Sequence, residues 1–191
     1  MDPIEALSRS REEFQSRLEQ VEDRHWDLPT PCSEWTVHDL VNHVMLGNRM
    51  SVELLDGATG DEVIAGLGDD LVSGRDGVVV DFAEVADQMH TRFAASGGLD
   101  GTVSHPMGVI PRRQFVGFRI GDYLTHAWDL ARAIGADESL DSDVVALAWD
   151  DLQPMRPLIS ESGMFGDGPS GEVSEDAPLQ TRYLDLTGRR P

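Results

Sequence analysis

The sequence predicts an all-α fold in which four long helices form a bundle with shorter helices added. Apolar residues recur in four separate stretches with a period of about 3.6 residues, the spacing of an amphipathic helix. No stretch has a convincing strand pattern, and we find no internal repeat. Because 191 residues suffice for one full core, a single domain over residues 1–191 is expected.

The first helix and the connection after it are marked by a cap and by prolines. Asp2 is a capping residue followed by proline, and apolar residues at helical spacing predict a helix to about Glu22. The connection at residues 25–35, HWDLPTPCSEW, contains two prolines that forbid helix. Trp26 and Trp35 are expected to anchor this connection.

The second helix begins with a capping-box pattern. Thr36 is followed by Asp39 at the position where such a box usually has Glu, and apolar spacing continues to about Leu55. His43 lies inside this helix, away from both ends, so its side chain is expected to face inward.

The middle of the chain predicts a short helix, a third long helix and a loop. A short helix is expected near residues 61–71, among scattered glycines and acidic residues. Asp81 is expected to cap a third long helix that runs to Ala95. Residues 96–115, SGGLDGTVSHPMGVIPRRQF, are rich in glycine and proline and predict a loop.

The fourth long helix is predicted over residues 119–135, with Gly135 as its stop. Another helix is expected to start at Asp141 or Ser142 and to end or kink at the prolines of residues 154–157. Residues 160–178 predict a loop, and residues 179–186 a short final helix.

Charge and composition exclude several classes of function. A net charge of −20 disfavours nucleic acid and anionic membranes as partners, because both require clustered basic residues. All basic residues are arginines, so no lysine can form a Schiff base or bind phosphate. No signal peptide and no apolar run of roughly 20 residues is seen. The single Cys32 is typical of the reducing cytoplasm, the expected location.

One face of the fourth helix carries the candidate functional residues. Asp122 and His126 are four residues apart, so their side chains lie on one face and can bind one metal ion. Arg119 and Asp129 extend the same polar stripe by a turn in each direction. A polar stripe is also typical of a solvated helix face, and from this segment alone both interpretations stay open.

Three motifs, TPCSEWTVHDLVNHV, VSHPMG and GDYLTHAWDLARAIG, are followed by a terminal GRRP. In these motifs the chain resembles the mycothiol-dependent maleylpyruvate isomerase N-terminal family of DinB-like metalloproteins. The resemblance implies an antiparallel four-helix bundle that binds a divalent metal, usually zinc. It also implies His43, Asp122 and His126 as the metal ligands and mycothiol as a cosubstrate.

The implied chemistry uses the open position of such a metal. A catalytic zinc has three protein ligands and leaves its fourth position to water or substrate. A thiol bound there loses its proton and becomes a nucleophile toward a small electrophile. Asp129 is a candidate to orient His43 or His126 through the far ring nitrogen. Arg119 is a candidate to bind a carboxylate of the thiol or of an acidic substrate.

Because of two differences from the isomerase, we do not expect maleylpyruvate isomerisation itself. The isomerase has Glu where this chain has Asp122, and it has a second domain that we do not expect in the 191 residues of this sequence. We therefore expect thiol transfer to another small electrophile, or isomerisation of one. The alternatives are a thiol-independent metal hydrolase and a non-catalytic metal or small-ligand binding module that forms a homodimer. The roles of Cys32 and His105 stay open, with Cys32 more typical of a packing residue.

Overall fold

Four long helices form the body of the computed structural model, which describes residues 1–65, 68–72, 76–157, 159 and 168–191. They are α1 (Pro3–Leu18), α2 (Val37–Leu55), α4 (Val78–Ala94) and α5 (Arg112–Ile134). The shorter helices are α3 (Gly60–Ile64), α6 (Ser142–Leu152) and α7 (Leu179–Leu186), with 3-10 turns at Asp23–His25 and Gln153–Met155. Among these described helices, none has the length and apolar character needed to cross a membrane.

Local capping chemistry sets the helix ends that the sequence predicted best. Asp2 accepts a hydrogen bond from the backbone N–H of Ile4 and so begins α1. Thr36 and Asp39 form the predicted reciprocal capping box of α2, which ends at Leu55 as expected. The stop of α5 is Gly135, whose φ of 74° is the left-handed conformation that glycine adopts without strain.

The predicted bounds of α1, α3 and α4 differ from those in the structure. The α1 helix ends at Leu18 and not near Glu22, because the chain closes into i to i−3 turns before the 3-10 turn. The cap of α4 is Gly77, at a φ of 96°, and Asp81 lies in the first turn of the helix. The short helix expected over residues 61–71 is α3, Gly60–Ile64; residues 66–67 lie outside the described part.

The expectation that the chain has no strand is also wrong. Strand β1 (Thr102–His105) pairs with β2 (Gly108–Pro111) as an antiparallel hairpin inside the predicted loop. Each strand has only four residues, and the glycine and proline content of the segment hides the short alternating pattern. After the hairpin, α5 begins at Arg112, seven residues before the predicted start.

The core lies where α5 packs against α1 and α2, with α4 packed against the same two helices. An aromatic cluster marks its centre: the Phe14 ring lies 5.2 Å from that of Phe82 and 6.2 Å from that of Tyr123, centroid to centroid. Trp26 is buried under the connection between α1 and α2, as predicted, whereas Trp35 is half-buried. The α7 helix has the predicted bounds and buries Tyr183 and Leu186. Residues 168–178 form no helix, and the rest of the loop predicted over 160–178 lies outside the described residues.

Candidate metal centre

The three ligands that the resemblance implies lie next to one another in the structure. His43 Nε2, from α2, is 3.2 Å from Oδ1 of Asp122 on α5. His126 Nε2, one turn further along α5, is 3.6 Å from the same oxygen. Potential ligand atoms of all three residues lie within 4.8 Å of one another. Two imidazole nitrogens and one carboxylate oxygen therefore converge on one point between α2 and α5.

The donor set fits a divalent metal. Two histidines and a carboxylate form a common three-ligand set of catalytic zinc. Asp122 Oδ2 is buried and accepts no hydrogen bond within the described part of the chain, although Arg119 Nη1 lies 3.1 Å away. Burial opposes ionisation of Asp122, but the charges of Arg119, His43 and His126 outweigh it and hold its pKa below the usual range. A carboxylate is thus ready to bind a cation.

Asp129 lies where it orients one of the two imidazoles. His126 Nδ1 is 3.0 Å from Oδ2 of Asp129, whose side chain is completely buried. Burial lowers the pKa of His126, which favours the neutral ring. We assign the proton of that ring to Nδ1, where Asp129 accepts it, so that Nε2 keeps a free lone pair toward Asp122. The sequence left open whether Asp129 orients His43 or His126. In the described residues, Asp129 contacts His126.

Arg189 is a residue that the sequence did not single out beyond the GRRP motif. It follows α7, yet its Nε donates to Asp129 Oδ1 at 3.1 Å and its Nη2 to Oδ2 at 2.6 Å. Burial raises the pKa of Asp129, but the hydrogen bond from His126 and the charge of Arg189 outweigh it and lower the pKa to about 2. A residue outside a helical repeat has no periodicity to reveal such a contact.

Arg119 contacts two side chains of the protein, Asn48 and Asp122. Its Nη2 donates to Asn48 Oδ1 at 2.9 Å, its Nη1 pairs with Asp122, and its side chain is only 6% exposed. A Cβ added at Gly47 would collide with the guanidinium, so a larger residue at this point of α2 would displace Arg119 from its partners. Arg119 thus contacts a carboxylate of the protein itself, and its binding of a carboxylate of the thiol or of an acidic substrate stays a prediction.

The indole ring of Trp35 lies against both ligand histidines. The Trp35 ring lies 4.8 Å from the ring of His43 and 5.9 Å from that of His126, centroid to centroid. His43 keeps 42% of its side chain exposed, so the centre opens to solvent on the α2 side. His105 packs against the rings of Phe115 and Phe118 and is not among the converging donors.

Cys32 lies beside the centre, which its sequence context did not predict. Its Sγ is 3.3 Å from Asp129 Oδ2 and 4.0 Å from His126 Nδ1, and it accepts a hydrogen bond from Arg189 Nη2 at 3.1 Å. Burial, followed by the charge of Asp129, raises the pKa of the Cys32 thiol to about 12 despite the opposing arginine. The sulfur is therefore a protonated donor to Asp129 at neutral pH.

We expect Cys32 to react slowly with iodoacetamide at pH 8 in the folded protein, because only the thiolate is nucleophilic. With a pKa of about 12, the thiolate fraction at that pH is roughly 1,000-fold below that of a free thiol near pKa 9. Mass spectrometry of the alkylated chain measures the rate, and the same chain in denaturant is the control. Equal rates in the folded and unfolded states would contradict the assigned protonation.

Comparison with known proteins identifies the family. The family model described as mycothiol maleylpyruvate isomerase N-terminal domain matches residues 7–131, a range that contains all three candidate ligands and Asp129 but not Arg189. Two uncharacterized proteins of Mycobacterium tuberculosis, Rv0738 of strain ATCC 25618 / H37Rv and MT0763 of strain CDC 1551 / Oshkosh, are each 35% identical to the chain over 178 residues. These matches cover 93% of this chain and 89% of each relative.

The fold is shared with solved structures. A mutant of the mycothiol-dependent maleylpyruvate isomerase aligns with a TM-score of 0.64 at 13% identity, and another structure of that isomerase with 0.60 at 15%. Each alignment covers 85% of this chain and 71% of the solved chain. The predicted DinB-like antiparallel four-helix bundle with short additional helices is confirmed. By its matched profile and its relatives, the chain belongs to the mycothiol maleylpyruvate isomerase N-terminal domain family.

Proposed function

We propose that this protein binds a divalent metal, zinc by its donor set, and uses it to activate a low-molecular-weight thiol for transfer to, or isomerisation of, a small electrophile. The observation that carries the proposal is the convergence of His43, Asp122 and His126 from two helices. A solvated polar face would not bring a second helix's imidazole within 3.2 Å of the α5 carboxylate.

The orientation of the donors supports this assignment over an ordinary ion pair. In an isolated pair, His126 would direct a protonated nitrogen at Asp122. In the tautomer that we assign, the protonated Nδ1 faces Asp129 at 3.0 Å and Nε2 directs its lone pair toward Asp122. Metal-binding histidines have this arrangement, in which a carboxylate accepts the proton of the far nitrogen.

In this site, His43, Asp122 and His126 would hold the metal. When bound, the metal supplies a positive charge that favours the thiolate form of a bound thiol at neutral pH. Asp129 keeps the His126 proton on Nδ1, and Trp35 covers the two imidazoles so that water reaches them from fewer directions. The exposed edge of His43 leaves a side by which a thiol can enter.

The matched family and the solved relatives are named for mycothiol, and we propose this thiol as the cosubstrate. A small thiol of this kind stays reduced in the cytoplasm, which we propose as the location. The electrophile is proposed by class only, as a small molecule that a thiolate can attack.

The test measures turnover of small electrophiles by the zinc-loaded chain. The panel contains α,β-unsaturated acids, epoxides and alkyl halides, each with mycothiol, with N-acetylcysteine and without thiol. We expect turnover that requires thiol and that a chelator abolishes. A matched sample of the Asp122→Asn variant should lose this turnover, because the amide carries no charge and binds a cation weakly.

Each other pattern of activity overturns the proposal in a recognisable way. Chelator-sensitive turnover in thiol-free buffer would assign the site to hydrolysis by metal-activated water. A metal-replete chain without turnover across the panel would leave only a binding function. Thiol-dependent turnover that is unchanged by the chelator and by Asp122→Asn would remove the metal from the reaction.

A further inference from the structure

We propose that Arg189 is a positioning residue of the metal centre, acting on His126 through Asp129. This inference rests on the proposed function for its metal readout, but it concerns a residue that the family match does not include. Arg189 belongs to the segment after α7, and Asp129 lies one turn after His126 on α5. The proposal is based on two consecutive contacts. The Arg189 guanidinium binds the Asp129 carboxylate, and that carboxylate contacts the His126 imidazole.

The first contact, between Arg189 and Asp129, is directional and shielded from water. Arg189 donates through two nitrogens to the two oxygens of Asp129, at 3.1 Å and 2.6 Å. The side chain of Arg189 is 10% exposed and that of Asp129 is 0% exposed. A paired, two-point contact of this kind fixes the plane of the carboxylate as well as its position.

The backbone around Arg189 is itself held in place. Its N–H donates to the carbonyl of Leu184 at 2.8 Å, and its Nη1 donates to the carbonyl of Thr187 at 2.6 Å. Gly188, at a φ of 81°, turns the chain back after α7, a conformation that favours glycine. The end of α7 therefore aims Arg189 at α5 instead of leaving it in solvent.

The second contact, between Asp129 and His126, orients the candidate metal ligand. With both oxygens of Asp129 paired to Arg189, Oδ2 faces His126 Nδ1 at 3.0 Å and holds the ring in one orientation and one tautomer. Nε2 is then the lone-pair nitrogen that faces Asp122. Without Arg189, Oδ1 of Asp129 loses its donor, and only Cys32 and His126 contact Oδ2, so the carboxylate can rotate and fixes the His126 proton on Nδ1 less firmly.

A purely structural role for Arg189, neutralising a buried charge, predicts a different result. Such a role would lower the stability of the protein without changing the His126 tautomer or the metal affinity of the folded fraction. The experiment therefore reads the tautomer and the affinity, and it measures stability separately.

The experiment compares Arg189→Met with Arg190→Met in the full chain. Arg190 is the matched control, since it is 49% exposed and its side chain contacts Asp185 and the backbone carbonyls of Gly168 and Arg189, but no side chain of the centre. Zinc affinity is measured by competition with a chromophoric chelator, and the His126 tautomer by long-range ¹H–¹⁵N NMR of the metal-free protein. We expect Arg189→Met to weaken zinc binding about 10–100-fold, the usual effect of losing an outer partner of a ligand.

We also expect the NMR spectrum of metal-free Arg189→Met to show His126 as a mixture of tautomers, whereas the wild type and Arg190→Met show the Nδ1–H form. Arg189→Lys is the second variant, for the case that Arg189→Met does not fold. A lysine makes one contact where arginine makes two, so we expect a smaller loss of affinity in the same direction. Wild-type affinity and a wild-type tautomer in the folded Arg189→Lys protein would overturn the inference.

The two proposals fail differently in this experiment. A wild-type chain that binds no zinc defeats the proposed function, and the tautomer measurement on the same metal-free sample still decides the role of Arg189. A wild-type chain that binds zinc as tightly as Arg189→Met, with the same tautomer, defeats the positioning role and leaves the proposed function intact.

Discussion

His126→Ala is expected to weaken zinc binding by more than about 100-fold, which exceeds the effect typical of losing an outer partner of a ligand. The substitution removes one of the three donors that converge on this point among the described residues, and it also leaves Asp129 without its imidazole partner. Thiol-dependent turnover should fall with the bound metal. Metal content after dialysis, measured by inductively coupled plasma mass spectrometry, and the zinc dissociation constant test this expectation.

His90→Ala is the control for this variant. His90 lies on α4, where its Nε2 is 2.9 Å from the Ser8 hydroxyl, and it is not among the converging donors. We expect the variant to keep the metal content and the zinc affinity of the wild type. Equal zinc affinity in His126→Ala and His90→Ala would show that the convergence on Asp122 is a hydrogen-bonded ion pair and not a metal centre.

Arg119→Met is expected to lower the free energy of unfolding of the metal-free protein by about 3 kcal/mol. The reason is that truncating one partner of a buried ion pair leaves the other charge in a poorly hydrated site. Here the remaining charge is Asp122, and Asn48 Oδ1 also loses one donor, though Tyr123 still donates to it at 2.7 Å. Added zinc should recover part of the loss, because a bound cation would neutralise the same carboxylate.

Urea denaturation at pH 7, with chelator and then with zinc, measures this difference. Arg113→Met is the matched control on the same helix, since Arg113 is exposed in the first turn of α5. We expect its effect to stay within about 0.5 kcal/mol, as for most surface substitutions. If Arg119→Met left stability unchanged and instead raised the KM of an acidic substrate, Arg119 would be the substrate-binding residue that the sequence suggested.

The residues that the sequence predicted well are those with local signals. The capping box at Thr36, the stop at Gly135 and the bounds of α7 follow from contacts within one or two turns. The hairpin at residues 102–111 was missed because its two short strands satisfy each other and leave little periodic pattern. The start of α4 was misplaced because Gly77, and not the better capping residue Asp81, is where the chain enters the helix.

By itself, the sequence determined a helical bundle and the placement of Asp122 and His126 on one face of α5, since helical geometry relates residues four apart without any tertiary contact. The family resemblance added His43. Only the tertiary structure decided that Arg119 also binds Asn48 of α2, that Cys32 lies beside Asp129, and that Arg189 binds the same carboxylate as Cys32. Cys32 and Arg189 lie 97 and 60 residues from Asp129 along the chain, and such distant contacts arise from helix packing and from the turn after α7, which no local pattern encodes.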